Sequence, residues 1–139
     1  MRKNCQLILT KSASITDCSI TSDLAIRTLE KALNSQPAPR GELILHSDQG
    51  SQFTSKVFVA YCESKKVTQS MSKAGYPYDN APMERYFNTL KNECTNHYVF
   101  DTEEALYQKV EEFAYVTYNH VRPHSYNKYQ TPFEARYTL

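Results

Sequence analysis

Leu43-Ile44-Leu45-His46-Ser47-Asp48-Gln49-Gly50-Ser51-Gln52-Phe53 is the stretch on which the reading of this chain turns. Its first four residues form a short apolar run, the pattern of a parallel strand buried on both faces. The run gives way to a polar loop, so Asp48 stands at the carboxyl end of the strand, where open α/β sheets bind ligands. Gly50 is expected to allow a tight turn without a Cβ penalty, and Gln49, Ser51, Gln52 and Thr54 offer neutral donors suited to phosphate or sugar. The same residues would also make a plain Asx-turn after a strand. His46 lies close to the carboxylate, but a hydrogen-bonded core histidine is a simpler reading of it than a metal neighbour.

Working outward, Tyr78-Asp79-Asn80-Ala81-Pro82-Met83-Glu84-Arg85-Tyr86-Phe87 carries a second carboxylate, and 35 residues separate Asp48 from Glu84. A helix is expected over about residues 81–94, with Asn80 as cap, Pro82 in the first turn and Glu84 close behind. Met83, Phe87, Leu90 and Cys94 recur at helical spacing and are expected to pack inward. Glu84, Asn88 and Lys91 form a neighbouring polar stripe expected to face solvent. Glu84 and Lys91 lie about 10 Å apart along the axis, too far for an ordinary salt bridge. The spacing suits a metal ligand followed by a group that reaches a DNA phosphate. Alternatively Glu84 only complements the helix dipole and Lys91 is a solvated charge. A carboxylate at a strand end and another at a helix start can hold divalent metal against phosphate oxygens, the equipment of two-metal phosphoryl transfer. The two are expected to converge at one edge of the sheet.

The bulk of the chain restricts the alternatives. A length of 139 residues accommodates one domain with a core of its own. No apolar run approaches the roughly 18 residues that span a bilayer, and Leu7-Ile8-Leu9 is too short for the apolar segment of a signal peptide. A cytoplasmic location without membrane partners is the default expectation. Cys5, Cys18, Cys62 and Cys94 are scattered, a spacing that suits reduced, buried thiols and not a zinc site. The formal net charge of +1 argues neither for nor against nucleic acid. Locally, Lys56, Lys65, Lys66 and Lys73 outnumber Glu63 and Asp79 between residues 49 and 83, a weak basic excess.

The remaining elements follow from periodicity and breakers. Residues 5–10 read as a short strand. Asp23 to Asn34 reads as a helix capped by Thr21 or Ser22, with Leu24, Thr28, Leu29, Ala32 and Leu33 inward, and Gln36-Pro37-Ala38-Pro39 breaks it. A helix over about 54–65 would bury Val57, Phe58, Tyr61 and Cys62, and Val67 to Ser70 reads as a second strand. Asp101-Thr102-Glu103-Glu104 has the form of a capping box opening a helix through Leu106, Val110, Phe113 and Thr117. Residues 119–139 read as mostly loop, with a turn of helix after Pro132. The alternation points to an α/β layer architecture with right-handed parallel crossovers.

These motifs together resemble a known family. The block from His46 to Phe53, the segment Ser70-Met71-Ser72-Lys73-Ala74-Gly75 and the block from Asp79 to Glu93 are similar to the catalytic subunit of insertion-sequence transposases. More narrowly they resemble the IS-three family, whose core is similar to that of retroviral integrases. Tyr118-Asn119-His120-Val121-Arg122-Pro123-His124 and Thr131-Pro132-Phe133-Glu134 resemble that family's closing motifs, and the resemblance runs from about residue 20 to the end. It implies an RNase H-like fold, incomplete here at its N-terminus, and DNA strand cleavage and transfer with Mg²⁺ (or Mn²⁺). Asp48 and Glu84 match the second and third acidic metal ligands of the family's Asp-Asp-Glu signature. Lys91 matches a DNA-contacting position and Asn88 shares its stripe, while Arg122 and His124 are expected to be structural or close to DNA. The partners implied are DNA, as transposon ends and target, and a full-length transposase or a second copy.

The signature's first Asp belongs farther upstream than the 47 residues that precede Asp48 allow. Asp17 and Asp23 are the upstream aspartates, and residues 1–19 do not resemble the expected strands. They read as a divergent leader in front of a core fragment, residues 20–139, as from a truncated or frame-disrupted gene. The expectation is a transposase core fragment inactive alone. The competing expectations are a non-catalytic DNA-binding or subunit-interaction module that modulates a full-length transposase, and an RNase H-like nuclease with its own target.

Overall fold

The computed structural model describes residues 13, 15–17, 19–35, 43–73 and 77–138. The expected strand at 5–10, and Cys5 and Cys18, lie outside them. Helix α1 spans Ser22–Ser35. Thr21 is its cap, its Oγ1 accepting the Leu24 N–H at 3.1 Å, which satisfies one of the orphan donors of the first turn. Strand β1 (Leu43–Ser47) pairs with β2 (Val67–Met71) in parallel, Leu43 opposite Val67 and Ser47 opposite Met71. A parallel pair needs a crossover, which is made by the single turn α2 (Ser51–Thr54) and helix α3 (Lys56–Ser64). Ser55 caps α3 by accepting the Phe58 N–H, and Lys66, at φ 56°, turns the chain into β2.

The first core cluster is Leu29, Phe58, Cys62 and Val67, with Ala25, Ile26, Leu33, Leu43, Leu45, Phe53 and Tyr61 packed around it. Phe58 is 1% exposed, and burial of such a ring contributes about 2 kcal/mol. Two expectations fail here. Val57 is 65% exposed, because α3 turns Phe58, Tyr61 and Cys62 toward the core and Val57 away from it. Strand β1 is not covered on both faces among the described residues: Leu43, Leu45 and Ser47 turn toward the core, while Ile44 and His46 are exposed.

A 3₁₀ turn, Pro77–Asn80, leads into α4 (Ala81–Glu93). Asn80 occupies the cap position but its side chain makes no capping bond, since the preceding turn already holds the entry. The inward stripe of α4 is Tyr86, Leu90 and Cys94, and Met83 and Phe87 are 40% and 50% exposed. The expected stripe was therefore rotated by part of a turn at its N-terminal end. Helix α5 (Glu103–Glu112) is capped by Thr102, not Asp101, through the Ala105 N–H. It continues into a π-helical stretch, Phe113–Val121, closed by the Arg122 N–H on the Thr117 carbonyl at 2.8 Å. The helix thus reaches three residues, Asn119 to Val121, into the segment expected to be loop. Helix α6 (Pro132–Tyr137) begins with a full capping box between Thr131 and Glu134. Tyr86, Cys94, Phe113 and Tyr118 form the second cluster, and Lys31 ties α1 to α5 through Glu111 at 2.9 Å.

Candidate functional site

The parallel pair and its crossover put Asp48 just past the carboxyl end of β1. The carboxylate is exposed, and its Oδ1 accepts the Gly50 N–H at 2.9 Å. The Asx-turn and the ligand reading are therefore compatible: the turn orients a carboxylate that remains open to solvent. Gly50 itself has φ −56° and ψ 145°, a backbone that any residue adopts, contrary to the expected conformational need for glycine. A Cβ there would sit 2.5 Å from the Gln52 side-chain amide, so what fills the space is a movable side chain.

The loop after β1 is bound to the loop after β2. Ser72 donates its N–H to the Ser47 carbonyl at 2.9 Å, and Gln49 Nε2 donates to the Ser72 carbonyl at 3.1 Å. His46 is not a core residue. It is exposed on the sheet, yet its Nδ1 lies 3.0 Å from Ser70 Oγ and its Nε2 lies 3.1 Å from Ser72 Oγ. Each hydroxyl can donate or accept, so the ring is satisfied in either neutral tautomer. Ser72 lies in the Ser70–Gly75 motif, but the motif by itself gave no sign that its hydroxyl meets His46, because that contact joins residues 26 apart in the chain.

Glu84 is exposed in the first turn of α4, and Asn88 and Lys91 are exposed farther along the same helix. Among the described residues the ion pairs are Arg27 with Asp17 and Asp23, Lys31 with Glu111, Lys109 with Glu112 and Arg122 with Glu93. None engages Asp48, Glu84 or Lys91. Arg27 instead holds both upstream aspartates, at 2.7 Å each. Among the described residues, no group of three or more His, Cys, Asp and Glu side chains is arranged to hold a metal.

The C-terminal motif is built into the second core cluster. The Tyr118 ring meets Tyr86 edge-on at 4.9 Å and His124 at 4.6 Å. Arg122 donates Nε and Nη2 to the two carboxylate oxygens of Glu93, each at 2.7 Å. The guanidinium holds the Glu93 carboxyl below the usual carboxylate range, while burial first, and Arg122 second, push the His124 imidazole down. Burial raises the thiols of Cys62 and Cys94, both free and both far from an activated nucleophile in character.

Two family models described as integrase core domain match residues 65–132 and residues 6–77, and the second takes in most of residues 1–19. The chain is 41% identical over 106 residues to the uncharacterized 31 kDa protein of insertion element IS600 from Shigella sonnei, covering 76% of this chain and 39% of the relative. It is 39% identical over 94 residues to the transposase for insertion sequence element IS904 of Lactococcus lactis, covering 68% and 37%. The chain thus spans about two-fifths of the length of the curated relatives it matches. In structure it is similar to a chain of the simian T-cell lymphotropic virus intasome solved with the PP2A regulatory subunit B56 gamma, with a TM-score of 0.70, 20% identity, and 92% of this chain and 45% of that chain covered. It is also similar to the BIV integrase catalytic core domain, with a TM-score of 0.59, 23% identity and coverage of 82% and 69%. A third match is the HTLV-2 integrase catalytic core domain in complex with magnesium, with a TM-score of 0.51, 18% identity and coverage of 91% and 75%. The fold is that of the retroviral integrase cores, RNase H-like, as expected. Among the described residues no helix is long and apolar enough to cross a membrane.

Proposed function

This chain belongs to the integrase core domain family, and on that premise we propose that it is the catalytic-core portion of an insertion-sequence transposase that handles DNA through a divalent cation held by Asp48 and Glu84. The observation that carries the proposal is the pair itself. One carboxylate follows β1 beside its parallel partner and the other opens α4, and both are exposed and unengaged by any ion pair among the described residues. Oxygen donors of this kind fit Mg²⁺ or Mn²⁺, hard cations that keep several waters and take one or two carboxylates together with phosphate oxygens. When bound, such a cation would neutralise charge developing on the phosphoryl group.

The protein's own groups do the rest. The Asx-turn orients Asp48, and the first turn of α4 presents Glu84. Asn88 and Lys91 follow on the same helix and offer an amide and an ammonium to the DNA backbone, contacts that position a duplex without reading its sequence. Arg122 places Nε and Nη2 on Glu93, a strut between α4 and the segment after the π-helix.

A second reading is favoured by one observation. Asp17 and Asp23 are both taken by Arg27, and no three-acid group stands among the described residues. The 139-residue chain by itself is therefore proposed not to cleave or join DNA, acting instead as a DNA-binding or subunit-interaction module toward a full-length transposase or a second copy. Calorimetric titration with Mn²⁺ tests the site: binding lost in both Asp48→Asn and Glu84→Gln is expected, and binding undiminished in either removes that residue from it. Incubation with DNA carrying insertion-sequence ends tests the rest. Joined product that disappears in Asp48→Asn would establish the chain as a complete enzyme.

A further inference from the structure

We propose that Ser72, acting through His46, is a positioning residue that aims the Asp48 carboxylate; the proposal rests on the reading of Asp48 as a cation ligand. Three bonds from Ser72 reach residues 46, 47 and 49, so they bracket Asp48 on both sides: hydroxyl to the His46 imidazole, N–H to the Ser47 carbonyl, and carbonyl from the Gln49 amide. Ser72 is 6% exposed while Asp48 is open to solvent. A buried anchor just past the end of β2 thus holds the loop that carries an exposed carboxylate 24 residues away in sequence.

The chemistry explains why the residue is serine. The two backbone bonds could be made by any residue but proline at position 72, and the hydroxyl alone reaches Nε2 of His46. The imidazole is held at its other nitrogen by Ser70 Oγ at 3.0 Å. With both nitrogens engaged the ring is fixed, and with it the backbone two residues before Asp48. The Asp48 side chain has its own local restraint, the Gly50 N–H, but that bond orients the carboxylate only relative to its own turn. The link to β2 orients the turn relative to the sheet. Groups that orient a metal ligand from outside its coordination sphere alter cation affinity without touching the cation.

The test uses the full chain and Mn²⁺ as probe, with affinity read by electron paramagnetic resonance and loop order by exchange of the Gly50 amide. Ser72→Ala keeps the backbone bonds and removes the hydroxyl. It is expected to weaken Mn²⁺ binding about tenfold and to speed Gly50 exchange, with Ser72→Thr restoring both. Because Ser72 is buried, His46→Ala approaches the same bond from the exposed side. It should reproduce the loss, and the double variant should be no worse than either single one. A purely structural serine would lower the melting temperature and leave the affinity of the folded protein unchanged. Wild-type affinity in both Ser72→Ala and His46→Ala, with binding abolished in Asp48→Asn, overturns the positioning role and leaves Asp48 a ligand. Wild-type affinity in Asp48→Asn removes the ligand reading and the inference with it.

Discussion

Arg122 meets Glu93 through two 2.7 Å bonds, Nε to Oε2 and Nη2 to Oε1, joining the segment after the π-helix to the last turn of α4. The pair is partly exposed, with 28% and 43% of the two side chains accessible, so solvent screens it and its worth is modest. Arg122→Ala is expected to destabilise the chain by about 1 kcal/mol in urea denaturation. Arg122→Lys should recover only part of this, because an ammonium cannot form the bidentate fork. A double-mutant cycle with Glu93→Gln showing no coupling would reduce the contact to a surface coincidence. Since Arg122 depresses the Glu93 carboxyl, the contribution is fully present above the carboxyl's unfolded value and is lost as pH falls through the folded one. Stability of the wild type should therefore drop more steeply than that of Glu93→Gln below about pH 4.5.

His124 supplies an opposite charge type with the same direction of pH dependence. Its folded value is depressed, first by burial and then by Arg122, so the unfolded chain takes up the proton more readily. The neutral imidazole is compatible with the fold above about pH 6.5, and stability is lost as pH falls below that value. Denaturation midpoints measured from pH 7.5 to 5 should fall for the wild type and fall less for His124→Phe, which keeps a ring beside Tyr118. Equal slopes in the two proteins would rule out His124 as the group responsible.

The rotated stripe of α4 makes a direct prediction about stability. Tyr118→Ala removes a ring that contacts Tyr86, Phe113 and His124 and should cost about 3 kcal/mol. Met83→Ser, at an exposed position, should stay within about 0.5 kcal/mol of wild type, and Phe87→Ser, half exposed with its ring edge-on to Tyr86 at 5.6 Å, should cost about 1 kcal/mol. A large loss at Phe87 in thermal denaturation would mean that the stripe read from periodicity is the true one.

Lys91 is exposed and makes no ion pair among the described residues. If it contacts a DNA phosphate, Lys91→Ala should weaken duplex binding equally for unrelated sequences. It should also reduce the slope of log K against log salt by about one. An unchanged slope in fluorescence anisotropy titrations would return Lys91 to the role of a solvated charge.

Periodicity was most informative where one face had one partner. The α3 stripe of Phe58 and Cys62 and the helix through Val110 and Phe113 were legible, because burial on a single side leaves a period in the sequence; β1 was legible from its apolar run, which did not tell how many of its faces are covered. The α4 helix was ambiguous. Met83, Tyr86, Phe87, Leu90 and Cys94 are all apolar, so two overlapping stripes satisfy the spacing equally. The choice between Tyr86 and Phe87 was made by the Tyr118 ring, which lies 32 residues beyond Tyr86. Local pattern holds no information about a neighbour so distant.

The candidate site divides in the same way. Asp48 and Glu84 stand out in the sequence as candidates because each sits in a motif at an element boundary: a strand end and a polar turn for one, a helix start for the other. Motif similarity likewise identified the family. Only the tertiary structure decided that His46 faces outward between two serine hydroxyls, that Ser72 anchors the Asp48 loop, and that Arg122 binds Glu93. Each of these depends on which side chains are brought within about 3 Å of one another by the crossover and the helix packing. Hydrogen bonds and ion pairs between residues far apart in the chain leave no period in a sequence, because either partner alone is an ordinary polar residue.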